Sequence, residues 1–201
     1  MQFFCSDPHF GHTNVLAYDN RPFSTIEEHD EALVSNFNKV VGNDDDLYIL
    51  GDFSFHKDIN KIREIISSLN GKKHLIIGNH DTKIVKDRDT MMMFNEVTDY
   101  KELYINKHCT LILSHYPIPC FKNSYYGWVH LYGHVHNTFE HNIMENTKRV
   151  IQELYKKNFE NPREEVCRMH NVGVMMPYIN YTPRTLEEIL TAAENVENKG
   201  V

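Results

Sequence analysis

The sequence predicts an α/β fold, and three observations carry that reading. Its first half alternates short apolar runs with longer amphipathic ones in the order strand, helix, strand, helix, strand, the order of a parallel α/β core. Several apolar runs stop abruptly at Gly, Asp, Asn or His, as strands do when they deliver polar groups to a shared edge. The second half is richer in strands but still carries two helical stretches.

The elements follow in order. Residues 2–6 (Gln-Phe-Phe-Cys-Ser) open as a strand, and residues 7–24, with Gly, Pro, Asn and Asp, read as a long loop. A helix is predicted from Ile26 to Val41. Thr25 and Glu28 form a capping box, Ile26, Leu33, Phe37, Val40 and Val41 share one face, and Gly42-Asn43 end it. The acidic run Asn43–Asp46 lacks the spacing and terminal Glu of an EF-hand and reads as a solvated turn.

Asp46 to Leu50 is the next strand and runs into Gly51-Asp52. A second helix covers Ile59 to Leu69, capped by Asp58, with Gly71 just past its end. His74 to Ile77 is a buried strand running into Gly78-Asn79-His80-Asp81. Val97 to Ile105 and Cys109 to Leu113 predict a hairpin turned at Asn106-Lys107, and Trp128 to Tyr132 a further strand. A helix over Glu145 to Lys157, a strand over Arg168 to Val174 and a terminal helix with Pro183 in its first turn complete the chain. Met91-Met92-Met93 reads as adaptable packing. No repeat, low-complexity stretch or linker appears, so residues 1–201 are expected to form a single domain.

Composition narrows the function. A formal net charge of −7, with Lys and Arg scattered, lacks the basic stripe that a long nucleic acid needs. Cys5, Cys109, Cys120 and Cys167 show no CxxC spacing and read as reduced thiols of a cytoplasmic protein. The first residues do not read as a signal peptide, and no apolar run has membrane-spanning length, so no membrane partner is expected. Histidine stands out, with 13 residues.

Their placement carries chemistry. Asp7-Pro8-His9, Gly51-Asp52, Gly78-Asn79-His80-Asp81, Ser114-His115 and Gly133-His134-Val135-His136 each follow an apolar strand. Carboxylates and neutral imidazoles bind borderline divalent metals, and one Asp can bridge two ions. Asp7 and His9, like His134 and His136, are two residues apart, which in extended backbone places both on one side.

This ordered set resembles the calcineurin-like metallophosphoesterase superfamily, whose pattern is DxH, GD, GNH[DE], H and GHxH. Every block is present in order from residue 7 to residue 136, and SDPHFGH and RPF resemble small bacterial and phage members. The resemblance implies a four-layer α/β/β/α sandwich with a dinuclear metal site at the C-terminal ends of the strands. It implies that Asp7, His9 and His136 bind one ion and Asn79, His115 and His134 the second, with Asp52 bridging. His80 would be general acid or transition-state stabiliser, oriented by Asp81. The ions would be two divalent metals, manganese first, with iron, zinc, nickel and cobalt as alternatives.

The expected activity is hydrolysis of a small phosphomonoester or phosphodiester, a nucleotide or cyclic nucleotide among the candidates, by a metal-bridging hydroxide. A metal-dependent nuclease and a non-catalytic protein-binding scaffold are the alternatives. His12 and Arg21 stand between two readings, substrate-phosphate contacts or ordinary loop residues. Tyr125, Tyr126 and Trp128 read as packing. His130 is the remaining histidine nearest in sequence to the Gly133–His136 block and otherwise reads as structural.

Overall fold

The computed structural model of the chain describes residues 1–197, so the last four residues of the expected 1–201 domain lie outside the described residues. In order come β1 (Gln2–Cys5), the short α1 (Val15–Tyr18), α2 (Ile26–Val40), β2 (Asp46–Ile49), α3 (Ile59–Ser68) and β3 (Lys72–Ile76). There follow α4 (Thr82–Lys86), α5 (Arg88–Met91), β4 (Glu96–Thr98), β5 (Tyr100–Asn106) and β6 (Cys109–Ser114). The chain continues through β7 (Val129–Tyr132), α6 (Phe139–Asn158), β8 (Arg168–Asn171) and α7 (Leu186–Glu197).

Local chemistry sets the helix boundaries. The Thr25 hydroxyl accepts the Glu28 N–H, and the Glu28 carboxylate accepts the Ser24 N–H, closing the start of α2. Asp58 accepts the Asn60 N–H at the start of α3. Leu33 and Phe37 of α2 and Ile62 and Ile66 of α3 are the buried apolar positions. Each pair is four residues apart, on one helix face.

Two four-stranded sheets result. The first has the order β1-β2-β3-β4 and is parallel throughout. The second has the order β5-β6-β7-β8, with β5 antiparallel to β6 and the other pairs parallel. Beyond the strands the sheets touch: Ser6 bridges Gly173, the Ser6 N–H donating to Val172 O at 2.8 Å and the Val174 N–H to Ser6 O at 2.9 Å. Strand alternation then sorts side chains by face. Leu111, Leu113, Val129 and Leu131 join Phe4, Ile49 and Leu75 in the main core, whereas Ile112, Tyr132 and Met169 pack in a second cluster with Met144 and Ile151 of α6.

Several sequence expectations need correction. The predicted arm Val97–Ile105 is divided at Asp99, since Glu96–Thr98 pairs with β3 in the first sheet and Tyr100–Asn106 with β6 in the second. The loop 7–24 contains α1, and α4 and α5 were not predicted. α6 starts at Phe139 rather than Glu145, because the Thr138 hydroxyl caps it by accepting the Glu140 N–H. The strand expected to reach Val174 ends at Asn171. Pro183 lies outside α7, whose start is a reciprocal box in which Thr185 N–H donates to Glu188 and Glu188 N–H to the Thr185 hydroxyl. Among the described residues no helix is long and apolar enough to cross a membrane.

Candidate metal centre

The centre sits past the C-terminal ends of five strands. Asp7 and His9 follow β1, Asp52 follows β2, and Asn79, His80 and Asp81 follow β3; His115 follows β6, and His134 and His136 follow β7. Asp7, His9, Asp52, His134 and His136 all have left-handed backbone, with φ of 56, 56, 53, 69 and 49°. That conformation costs an L-residue about 1–2 kcal/mol, so the surrounding structure has to hold it. Two glycines make the crowding possible. A Cβ on Gly51 would overlap the His115 ring, and one on Gly133 would overlap the Ser6 and Asp7 side chains.

The donor atoms converge. Asp7 Oδ1 lies 3.7 Å from His9 Nε2 and 3.6 Å from His136 Nε2. Asp52 divides its oxygens: Oδ2 is 3.6 Å from His9 Nε2, and Oδ1 is 3.6 Å from His115 Nε2. Asn79 Oδ1 lies 3.1 Å from His115 Nε2. Two groups emerge, Asp7–His9–His136 and Asp52–His115–His134, each with its ligand atoms within 4.8 Å of one another.

These residues fit metal ions. Asp7 Oδ1 and His9 Nε2 are buried with no hydrogen-bond partner, an arrangement that costs free energy unless something else engages them. Their separations are too long for hydrogen bonds. Donors sharing one ion at about 2.1 Å stand roughly 3.0–3.4 Å apart, close to what is seen.

The other atoms of the same side chains are already engaged, which aims the free ones inward. Asp7 Oδ2 accepts the Ser6 hydroxyl at 2.7 Å and the His134 N–H at 3.0 Å. His115 Nδ1 lies 2.8 Å from Leu50 O, and His9 Nδ1 lies 3.0 Å from His12 Nδ1. His136 Nδ1 faces Asp19, at 2.8 and 3.0 Å from its two oxygens. Burial pushes the Asp7 carboxyl up, but the His9 contact and the neighbouring His136 and His115 outweigh it and hold it below the usual carboxylate range. Burial alone dominates at His9 and lowers its basicity, leaving a neutral ring suited to ligation.

Asp19 was not singled out by the sequence. It stands alone in a loop, and only the fold brings it to a histidine 117 residues away. It also accounts for Arg21, which the sequence left open between a phosphate contact and an ordinary loop residue. Arg21 is buried, with Nε and NH2 donating to Asp19 Oδ2 at 2.9 and 2.8 Å. Its NH1 donates to Pro8 O at 2.9 Å and its NH2 to Asp7 O at 3.0 Å. Those bonds turn the guanidinium towards the protein, behind the ligands.

Asp81 also differs from expectation. Its carboxylate accepts the N–H groups of Asp52, Phe53 and Gly78 at 2.9, 2.8 and 2.8 Å, tying the loop after β2 to the loop after β3. The described bonds thus place it on the Asp52 backbone rather than on the His80 ring. Burial pushes this carboxyl up to about 6, partly countered by those backbone donors. His80 is held through its own N–H, which donates to Asp52 Oδ1 at 2.9 Å. Its ring is the open one of the set, with Nε2 4.0 Å from Asp52 Oδ2 and 45% of the side chain exposed.

His12 stacks on Phe55 with ring centroids 3.9 Å apart, and the His9 ring stacks on the same Phe55 at 4.9 Å. Burial, then the neighbouring His9, pushes its imidazole down to about 4. His134 meets His115 and Tyr116 edge-on at 5.1 and 4.6 Å. His130 is not part of the centre: Nδ1 bonds Ile112 O and Nε2 accepts the Ile118 N–H.

The chain is similar to known proteins over most of its length. The chain is 32% identical over 193 residues to an uncharacterised protein of Methanocaldococcus jannaschii, covering 96% of this chain and 90% of that one. It is 28% identical over 191 residues to the Gene 66 protein of Mycobacterium phage D29, covering 84% and 94% respectively. Among solved structures it is similar to a protein of unknown function from Aquifex aeolicus, with a TM-score of 0.58, 27% identity, and coverage of 96% of this chain and 98% of that one. Residues 3–184 match the calcineurin-like phosphoesterase family, a span that holds every side chain of the centre. Two neighbouring groups of metal-donor side chains, on a chain matched almost end to end, lead to one conclusion: this protein belongs to the calcineurin-like phosphoesterase family.

Proposed function

We propose that this chain hydrolyses a small phosphomonoester or phosphodiester, nucleotides and cyclic nucleotides among them, using two divalent ions. The observation that carries the reading is Asp52, whose two oxygens address the two donor groups separately. Asp7, His9, His136 and Asp52 would hold one ion, and Asp52, Asn79, His115 and His134 the other. Manganese is the proposed metal, with iron, zinc, nickel and cobalt compatible with the same donors. When bound, the ions supply Lewis acidity towards a phosphoryl oxygen and an acidified water.

The protein's own groups do the rest. Asp81 and the His80 N–H lock the loops after β2 and β3 together, so the His80 ring stands over the centre with its Nε2 open. A protonated His80 would donate to the leaving oxygen or stabilise charge on the phosphoryl group. His12, half buried beside His9, would hydrogen-bond a phosphate oxygen. Arg21 acts from behind, by holding Asp19. The core common to both sheets, and α6 on the far face of the second, support a four-layer α/β/β/α sandwich acting as one domain. The free cysteines support action in the reducing cytoplasm.

The test is hydrolysis of p-nitrophenyl phosphate and bis-p-nitrophenyl phosphate by metal-stripped protein before and after Mn²⁺ is restored. Metal-restored turnover should fall at least ~100-fold in Asp52→Asn and His80→Ala, and the ratio of the two substrates separates diester from monoester chemistry. No turnover of either substrate by protein shown to hold two ions would overturn the reading.

A further inference from the structure

We propose that α6 is a self-association surface, through which two copies of this chain pair antiparallel about a twofold axis. The inference is independent of the catalytic reading. α6 is a helix of 20 residues with no fully buried side chain. Its body-facing side is served by Met144 and Ile151. Next to that side runs a second apolar stripe: Phe139, Ile143, Val150 and Leu154 are 71, 48, 51 and 55% exposed. Scattered exposed apolar residues are ordinary, but a contiguous row along about 22 Å of helix is not.

The spacing of the row matters. Ile143, Thr147, Val150 and Leu154 are separated by four, three and four residues, the alternation of a coiled-coil seam. Thr147 is the polar member, and its hydroxyl donates to Ile143 O at 2.8 Å, so its polar atom already has a partner within the helix. Such a residue enters an interface without leaving an unmet hydrogen bond.

Charge selects the occupant. In an antiparallel pair centred between Thr147 and Val150, Ile143 faces Leu154 of the second copy and Thr147 faces Val150. The same register sets Glu140 opposite Lys157 at both ends. The ion pair within α6 among the described residues joins Lys148 to Glu145 and involves neither Glu140 nor Lys157. A parallel pair would instead set like charges together, Glu140 on Glu140 and Lys157 on Lys157. A twofold pair satisfies both ends at once, as an isologous interface requires. The four exposed side chains offer on the order of 400 Å² per copy, and a polar rim brings the total towards the low end of stable interfaces, about 1,200 Å².

Sedimentation velocity of the full, metal-loaded chain tests the proposal, over about 1–200 μM. The expected result is a monomer–dimer equilibrium in the micromolar range. Val150→Glu with Leu154→Glu should raise the dissociation constant at least ~100-fold while leaving the melting temperature of the monomer in place. Because that variant would weaken any apolar contact on this face, a second pair fixes the register. Glu140→Lys alone should weaken the dimer about tenfold, and adding Lys157→Glu should restore it to within about threefold. A wild-type monomer at about 200 μM, a dimer that survives the double Glu substitution, or a charge exchange that fails to restore pairing would each overturn it.

Discussion

The far side of His136 is held by both oxygens of Asp19, and Asp19 in turn by the Nε and NH2 of Arg21. The ring therefore has one free nitrogen and one direction in which to present it. Asp19→Ala removes that support while leaving Asp7, His9 and His136 in place. Affinity for one metal ion should fall about 10–100-fold, with the other nearly unchanged, measured by chelator competition that resolves two binding steps. Equal loss at both sites would show that Asp19 supports the fold rather than one ligand. The candidate ligands were legible in the sequence because each is a metal-binding residue type just past an apolar run. Asp19 was not, since nothing near it in the chain marks it. Arg21 stood open between a phosphate contact and an ordinary loop residue, and only three-dimensional placement turns its donors to Asp19, Pro8 and Asp7.

Among the elements, α2 shows how local chemistry and packing divide the work. Leu33 and Phe37 tie it to the core, while Thr25 and Glu28 satisfy the exposed N–H groups at its start. Thr25→Ala should cost about 1 kcal/mol in urea unfolding and leave phosphoesterase turnover unchanged, because the cap touches no ligand. This helix and α3 were readable from caps and apolar spacing alone. The segment from Glu96 to Asn106 was not. No Gly or Pro marks a break at Asp99, yet the two halves pair in different sheets. Periodicity reports which face a residue takes and is silent on which sheet owns the strand. That ambiguity is also why the second sheet came from resemblance and not from the residues themselves.

At the scale of the whole molecule, acid should act through two buried histidines outside the centre. Burial pushes His130 down to about 4 and His170 down to about 3, so the folded protein keeps both rings neutral where the unfolded chain, near 6.5, takes up protons. Their contribution is complete above about pH 6.5 and is lost as pH falls towards 4. Between pH 7 and 5, each should cost about 1–2 kcal/mol of stability. Urea unfolding of metal-free wild type and His130→Asn at the two pH values checks this, with a smaller loss on acidification expected in the variant. An identical loss in both proteins would assign the acid sensitivity elsewhere.

The donor groups also cross a boundary. Asp7, His9, Asp52 and Asn79 extend from the first sheet, and His115, His134 and His136 from the second. Neither sheet alone supplies a complete set for either group. Bound ions would therefore act as rivets through a seam, so that the joint between the two halves and the chemistry performed at it share the same few atoms. Scarcity of metal would loosen the first and silence the second in one event.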